Sequence, residues 1–245
     1  MCTVIVRVPE RAAAGGVAAP VHLLAVRDED PARPWDPVGP WWPRVYPGVI
    51  GVRDVRAGGA WLAADPDARR LSVILNRADL SDRTDDEVTS RGAVVLDSVV
   101  GHAVTGVPPT RGFNLVEVST DEVRVLSWDG LETRERVLEP GTHMIAHDDV
   151  DDDTTARIAR WLSAFRAATP RTETDGDWFA PWLDVLDESA TLSPADDKAI
   201  IRDNRPHGYP TQSLLACAAT ISRTGVEVRD GGFGRPGVWD RSALG

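Results

Sequence analysis

Lysine is nearly missing from this chain of 245 residues: Lys198 is the only one, and arginine carries the rest of the positive charge. Schiff-base chemistry would have to fall on Lys198, which stands in an acidic stretch and is discounted. Cysteine is scarce as well. Cys2 and Cys217 are too few for a disulfide scaffold at this length. No apolar run approaches the roughly 18 residues of a membrane span. No basic leader followed by an apolar core opens the chain, so a cytoplasmic protein is expected. Positive charge is outweighed, with 27 Lys and Arg against 38 Asp and Glu, a net charge of -11. Phosphate backbones and anionic lipid repel such a surface, which argues against general nucleic-acid binding and membrane docking but not against a local basic pocket. There is no Gly-x-Ser-x-Gly elbow. Gly231-Gly232-Phe233-Gly234 is no phosphate loop, because Pro236 opposes a following helix.

What is present reads as an ordinary globular chain, 42% apolar and 27% charged, long enough to bury a sizeable core. Its arginine, alanine, valine, aspartate and glycine usage suggests a GC-rich bacterial genome. A single domain over residues 1–245 is expected. Strand patterns occupy residues 2–8 and 21–26, joined by a Gly/Ala loop at 12–20 to make an N-terminal hairpin. Further strands are expected at 49–55, 60–64, 71–76, 114–118, 123–128, 135–138 and 142–146, with a turn at Gly58-Gly59 and another at Asp129-Gly130. Helices are expected at 87–100, at 151–168 with Asp152 or Asp153 as cap, and at 178–187. A last hairpin pairs 213–222 with 226–229. Strands at both ends around central helices predict an α+β layered domain rather than βαβ units.

Cys2 draws attention by position. A small residue after Met1 allows removal of the initiator, which would leave one residue with both a thiol and a free α-amine. The amine titrates near 8 and the thiol near 8.5, so the amine can serve as base to the thiol, the arrangement of N-terminal nucleophiles. The alternative is a cysteine buried in the first strand. Cys217, in an apolar strand, is read as inert.

Residues 31–47 are rich in Pro and Trp, and proline there argues for an ordered aromatic loop. Trp35, Trp41, Trp42 and Trp61 are candidates to line an apolar ligand pocket; core filling is the competing reading. His143 and His147 lie four apart before an aspartate run, but in a strand that spacing leaves them about 13 Å apart. No metal site is therefore assigned, and the aspartates are read as a helix cap.

Several short motifs occur in a fixed order. The chain opens Met1-Cys2-Thr3-Val4-Ile5-Val6, and its second strand carries Val26-Arg27-Asp28-Glu29. Then come Arg33-Pro34-Trp35, Gly58-Gly59-Ala60-Trp61-Leu62, Leu75-Asn76, Ser90-Arg91-Gly92, Gly112-Phe113-Asn114-Leu115, Ser127-Trp128-Asp129-Gly130 and Pro140-Gly141-Thr142-His143-Met144. In this order the chain resembles the NRDE family, also called the transport and Golgi organisation protein 2 family, most clearly over residues 1–149. The resemblance implies an N-terminal-nucleophile-hydrolase-like fold, a four-layer αββα sandwich whose nucleophile opens a central strand. It implies Cys2 as nucleophile, Arg27 lowering its pKa, Asp28 holding the α-amine, and Asn76 donating to an oxyanion. The chain departs from the family at Val26, which replaces the signature Asn, at His147, which stands at a second family Asn and is kept as a ligand-binding candidate, and at Pro210, where a Tyr-Gly-Thr-Arg-type segment carries Arg. Two functions follow as expectations: cysteine hydrolysis of an amide or (thio)ester without a cofactor, or non-catalytic trafficking of haem or of a lipid or acyl-coenzyme A. A purely structural role is the third. The expected partner is a small molecule.

Overall fold

The second strand, β2 (Val21–Glu29), runs three residues beyond the apolar stretch that announces it and carries Arg27, Asp28 and Glu29 within the sheet. The first strand, β1 (Thr3–Val8), pairs with it antiparallel, Thr3 opposite Val26. The computed structural model describes residues 2–10, 18–170 and 177–244; most of the expected Gly/Ala loop at 12–20 lies outside them.

The remaining strands are β3 (Trp35–Gly39), β4 (Ile50–Asp54), β5 (Ala60–Asp65), β6 (Arg70–Asn76), β7 (Phe113–Val118), β8 (Val123–Trp128), β9 (Thr133–Val137), β10 (Gly141–Ile145), β11 (Gln212–Ser222) and β12 (Gly225–Gly232). Three helices join them: α1 (Gly92–Val99), α2 (Ala156–Ala167) and α3 (Ala180–Ser189). Five strands form one sheet in the order β10-β1-β2-β11-β12. Seven form the other, β3 to β9 in sequence.

Alternation along β2 separates two cores. Val21, Leu23 and Ala25 join the apolar layer between the sheets, whereas Leu24 and Val26 pack beneath α2 and α3 with Trp161, Phe165 and Trp182. The seven-stranded sheet is likewise covered on both faces. Ser98 of α1 bonds Ser72 and Glu117. Asn114, an odd number of residues from Glu117 and so on the opposite face, reaches the carbonyls of Ala146 and Asp148 just past β10. The layers therefore run helices, sheet, sheet, helix, an α+β sandwich as expected.

Some boundaries differ from the sequence reading, each for a local reason. β2 continues through its charges because β11 pairs with it that far, Leu215 opposite Arg27 and Ser213 opposite Asp28. Proline does not keep residues 31–47 wholly irregular. Pro37 sits in the edge strand β3, whose register breaks between Asp36 and Gly39, so its missing N–H costs no ladder bond. α1 starts at Gly92 rather than 87, after a separate 3-10 turn at Asp85–Glu87. α2 starts at Ala156, not 151, with Thr155 as its first flanking residue. The Thr155 hydroxyl donates to Asp148 instead of capping. Asp151, in the left-handed region at φ 61°, uses its carboxylate on the Met144 N–H and His143.

Two glycines bring β5 and α1 into backbone contact. A Cβ on Gly59 would stand 2.6 Å from the Gly92 Cα, and one on Gly92 would stand 2.8 Å from the Gly59 Cα. No side chain fits between them. Gly92→Ala is expected to destabilise the protein by about 1–3 kcal/mol, measured by urea unfolding; an unchanged midpoint would show that the strand and helix separate freely.

His22 on β2 stacks on Trp178 at 4.1 Å between ring centroids. Its Nε2 is buried without a hydrogen-bond partner among the described residues. Burial first, then the charge of Arg7, lowers its pKa to about 4. The unfolded chain binds this proton near 6.5 and the folded chain does not, so stability is full above 6.5 and falls as pH drops toward 4. The expected loss from this residue is about 3 kcal/mol. Urea melts at pH 7 and 4.5 should differ less in His22→Phe than in the wild type.

Candidate active site

Cys2 stands immediately before β1, in the wall of a cavity of about 280 Å³. Arg27 and Asp28 from β2, Trp61 from β5, Asn76 from the end of β6 and Arg91 from the turn into α1 complete its principal lining. Four of the expected catalytic residues, Cys2, Arg27, Asp28 and Asn76, thus meet in one cavity, although they come from both sheets.

The thiol is 7% exposed. Its Sγ accepts from the Asp28 N–H at 3.4 Å, which ties the chain start to the neighbouring strand. Burial first, and then the Asp28 charge, raises the thiol pKa; Arg27 acts the other way but is the weakest of the influences. Arg27 thus acts in the expected direction, but the net shift is upward. Desolvation outweighs one guanidinium whose charge is shared with Glu29.

Arg27 and Asp28 are not on a solvated turn; they are 3% and 6% exposed. Asp28 Oδ1 accepts from the Ser213 hydroxyl at 2.5 Å, and Ser213 Oγ in turn accepts from the Arg202 N–H at 2.8 Å. The charge of Asp28 also acts on Arg157, a fully buried arginine in α2 whose pKa is lowered, by burial above all, to about 10. Arg157 donates to the Thr3 hydroxyl. The expected contact of Asp28 is with the α-amine that Cys2 gains once Met1, which lies outside the described residues, is removed.

Arg27 reaches Glu29 through Nη2 at 3.4 Å and lies 5.8 Å from the Trp61 ring centroid. Its Nη1 is buried and has no hydrogen-bond partner among the described residues, and the same holds for Trp61 Nε1. Asn76 offers its Oδ1 to Arg91, whose Nη1 also donates to the Gly112 carbonyl at 3.1 Å. With its oxygen engaged, the Asn76 amide retains its NH₂ as a donor.

The other aromatic candidates lie elsewhere. Trp41 donates to the Pro37 carbonyl and carries Arg53 over its ring at 5.0 Å. Trp42 donates to the Gly58 carbonyl. Trp35 packs partly buried against the core between the sheets, near Gly232. Only Trp61 of the four lines the cavity with Cys2. His147, past the end of β10, sits 3.1 Å from Asp148 and outside the cavity lining; burial lowers its pKa. His143 is saturated by Asp151 at 2.7 Å and the Glu139 carbonyl at 2.8 Å. The segment ending at Pro210 is a surface turn, with Gly208 at φ 83° and Tyr209 65% exposed.

Arg91, Ser213, Arg157 and Arg202 were not among the expected site residues. Arg91 had a signal, since it belongs to the Ser90-Arg91-Gly92 motif. The others stand 154 or more residues from Thr3 or Asp28 in sequence and share no local pattern with them. A second cavity, of about 200 Å³, borders Ser72, Ser98, Glu117 and Arg124. Its polar groups already satisfy one another in a chain from Ser72 to Ser98, Glu117 and Arg124, whereas the Cys2 cavity keeps two buried donors without acceptors.

Comparison with curated proteins returned no match. The family model for Transport and Golgi organisation 2 matches residues 1–215, which reach from Cys2 through the first part of β11, and the chain belongs to that family.

Proposed function

We propose that this protein is an N-terminal-cysteine hydrolase acting on an amide or (thio)ester bond. The observation that carries the reading is the convergence of Cys2 Sγ with the free amide of Asn76 in one cavity. A thiol with a raised pKa is protonated at neutral pH, so it attacks as its proton leaves rather than as a standing thiolate. Once Met1 is removed, the Cys2 α-amine takes that proton while Sγ forms a bond to the substrate carbonyl carbon. The carbonyl electrons move to oxygen, to which Asn76 donates. Collapse breaks the bond to the leaving nitrogen, oxygen or sulfur, which takes the proton from the amine. Water, deprotonated by the same amine, then hydrolyses the thioester and restores the thiol. The haem alternative rests on the family resemblance, with Cys2 or a histidine as ligand and the tryptophans as a stacking surface; three of those tryptophans, Trp35, Trp41 and Trp42, are engaged away from the cavity.

Intact mass of the purified protein should show loss of Met1. Cys2→Ala and Cys2→Ser should then abolish turnover across a panel of amide and thioester substrates, while circular dichroism remains native. Full turnover in Cys2→Ala would overturn the reading.

Alkylation of Cys2 by iodoacetamide in the folded protein should be slow at pH 7 and rise only above the ordinary thiol range, followed by peptide mass spectrometry. Asp28→Asn removes the negative charge that opposes ionisation and should move the profile to lower pH. A shift to higher pH would overturn the assignment of the Asp28 charge as a group that opposes ionisation.

A further inference from the structure

Buried donors without acceptors are rare in folded proteins, and each calls for an explanation. Two of the few in this molecule, Arg27 Nη1 and Trp61 Nε1, line the same cavity, with the guanidinium 5.8 Å from the ring. We infer that together they form the recognition site for an oxyanion, a carboxylate or phosphate carried by the substrate of Cys2. The inference rests on reading this cavity as the ligand site and adds the substrate's chemical class.

Charge in the cavity favours the same ligand. Four arginines contribute to the lining, Arg27, Arg33, Arg91 and Arg111. Two of them are matched: Arg33 to Asp54 at 2.5 Å and Arg111 to Asp85 at 2.7 Å. Arg27 meets Glu29 by one nitrogen only, and Arg91 hydrogen-bonds the neutral oxygens of Asn76 and Gly112. Leaving a buried guanidinium nitrogen unbonded costs the full desolvation of that donor, and a ligand oxygen removes the cost. A guanidinium and an indole N–H that line one cavity can each donate to an oxygen of the same anionic group. The lining sets these four arginines against the carboxylates of Asp28, Glu29 and Asp54, a balance far less acidic than that of the chain as a whole, with its net charge of -11. At about 280 Å³ the space admits a small acyl group or the end of a larger substrate.

The test uses Cys2→Ala protein, so that binding is read without turnover. Ligand-observed NMR titrations compare succinamate, a carboxylate with a terminal amide, with neutral succinamide of the same shape, and include inorganic phosphate. The expected result is that succinamate or phosphate binds at least about tenfold more tightly than succinamide. Preference between the two anions identifies which oxyanion the site takes. Arg27→Gln should abolish the anion preference. Because a substitution inside β2 can prevent folding, Trp61→Phe is the second variant. It keeps an aromatic ring but removes the indole N–H together with part of the indole's bulk, and should weaken anion binding about fivefold while leaving succinamide binding unchanged. Equal binding of succinamate, phosphate and succinamide, no binding of either anion, or unchanged anion affinity in Trp61→Phe would overturn the inference. Failure here would leave acyl transfer by Cys2 standing, and anion binding in a protein without turnover would leave this site standing.

Discussion

Backbone meets backbone at Gly59 and Gly92, and the arrangement of the cavity depends on that contact. The strand that follows Gly59 delivers Trp61, and the residue before Gly92 is Arg91. Any Cβ at either glycine would push β5 and α1 apart. Trp61 would then move relative to Arg27, and Arg91 would move relative to Asn76, whose oxygen it holds. The close approach therefore aligns a donor of the recognition pair and the orientation of a proposed oxyanion donor at once. It also explains why the glycines stand in two separate motifs of the sequence. Neither is free to vary while the other keeps its place.

The opposite wall is organised by buried charge. Asp28 lies beneath the five-stranded sheet among Ser213, Arg157 and the start of β1, and its backbone N–H holds Sγ. Burying such groups costs several kcal/mol each unless they are paired and hydrogen-bonded. The pairing is drawn from α2, β11 and the loop before β11, so three distant segments must be docked before the site exists. This is a constraint on chemistry as well. The environment that fixes the thiol also disfavours its anion, and a reaction there needs a base at the moment of attack.

The fold was largely legible where its determinants are local. β8 lies at the expected residues 123–128, because alternation and the Asp129-Gly130 turn specify both ends. The closing hairpin and the pair β1–β2 were readable for the same reason. What was illegible depends on pairing across the chain. Nothing in Arg27-Asp28-Glu29 says that Ser213 and Leu215 will carry the strand past Val26. The aspartates at 151–153 look like a helix cap until His143 and Met144 are seen to take Asp151. Cys2, Arg27, Asp28 and Asn76 could be named because ordered motifs mark them. The roles of Ser213, Arg157 and Arg202 could not, since their partners are set by tertiary docking alone.

This division has a consequence for how the site can vary. The proposed reacting group and its support come from the five-stranded sheet and α2, where Asp28 Oδ1 and Ser213 Oγ are tied to one another and to the Arg202 N–H. The rest of the cavity comes from the other sheet and its helix: Trp61 hangs on β5, Asn76 on β6 and Arg91 on the turn into α1. Changing the indole or the second arginine leaves the Cys2–Asp28–Ser213 arrangement in place, whereas changing Arg27 disturbs both. Arg27 extends from the nucleophile's sheet to within 5.8 Å of the Trp61 ring centroid. Its guanidinium is too shared, and too far outweighed by burial, to ionise the thiol, but it is well placed to fix where a substrate's charge must lie relative to Sγ. In the proposed reaction Arg27 would select the substrate, and the α-amine would move the proton.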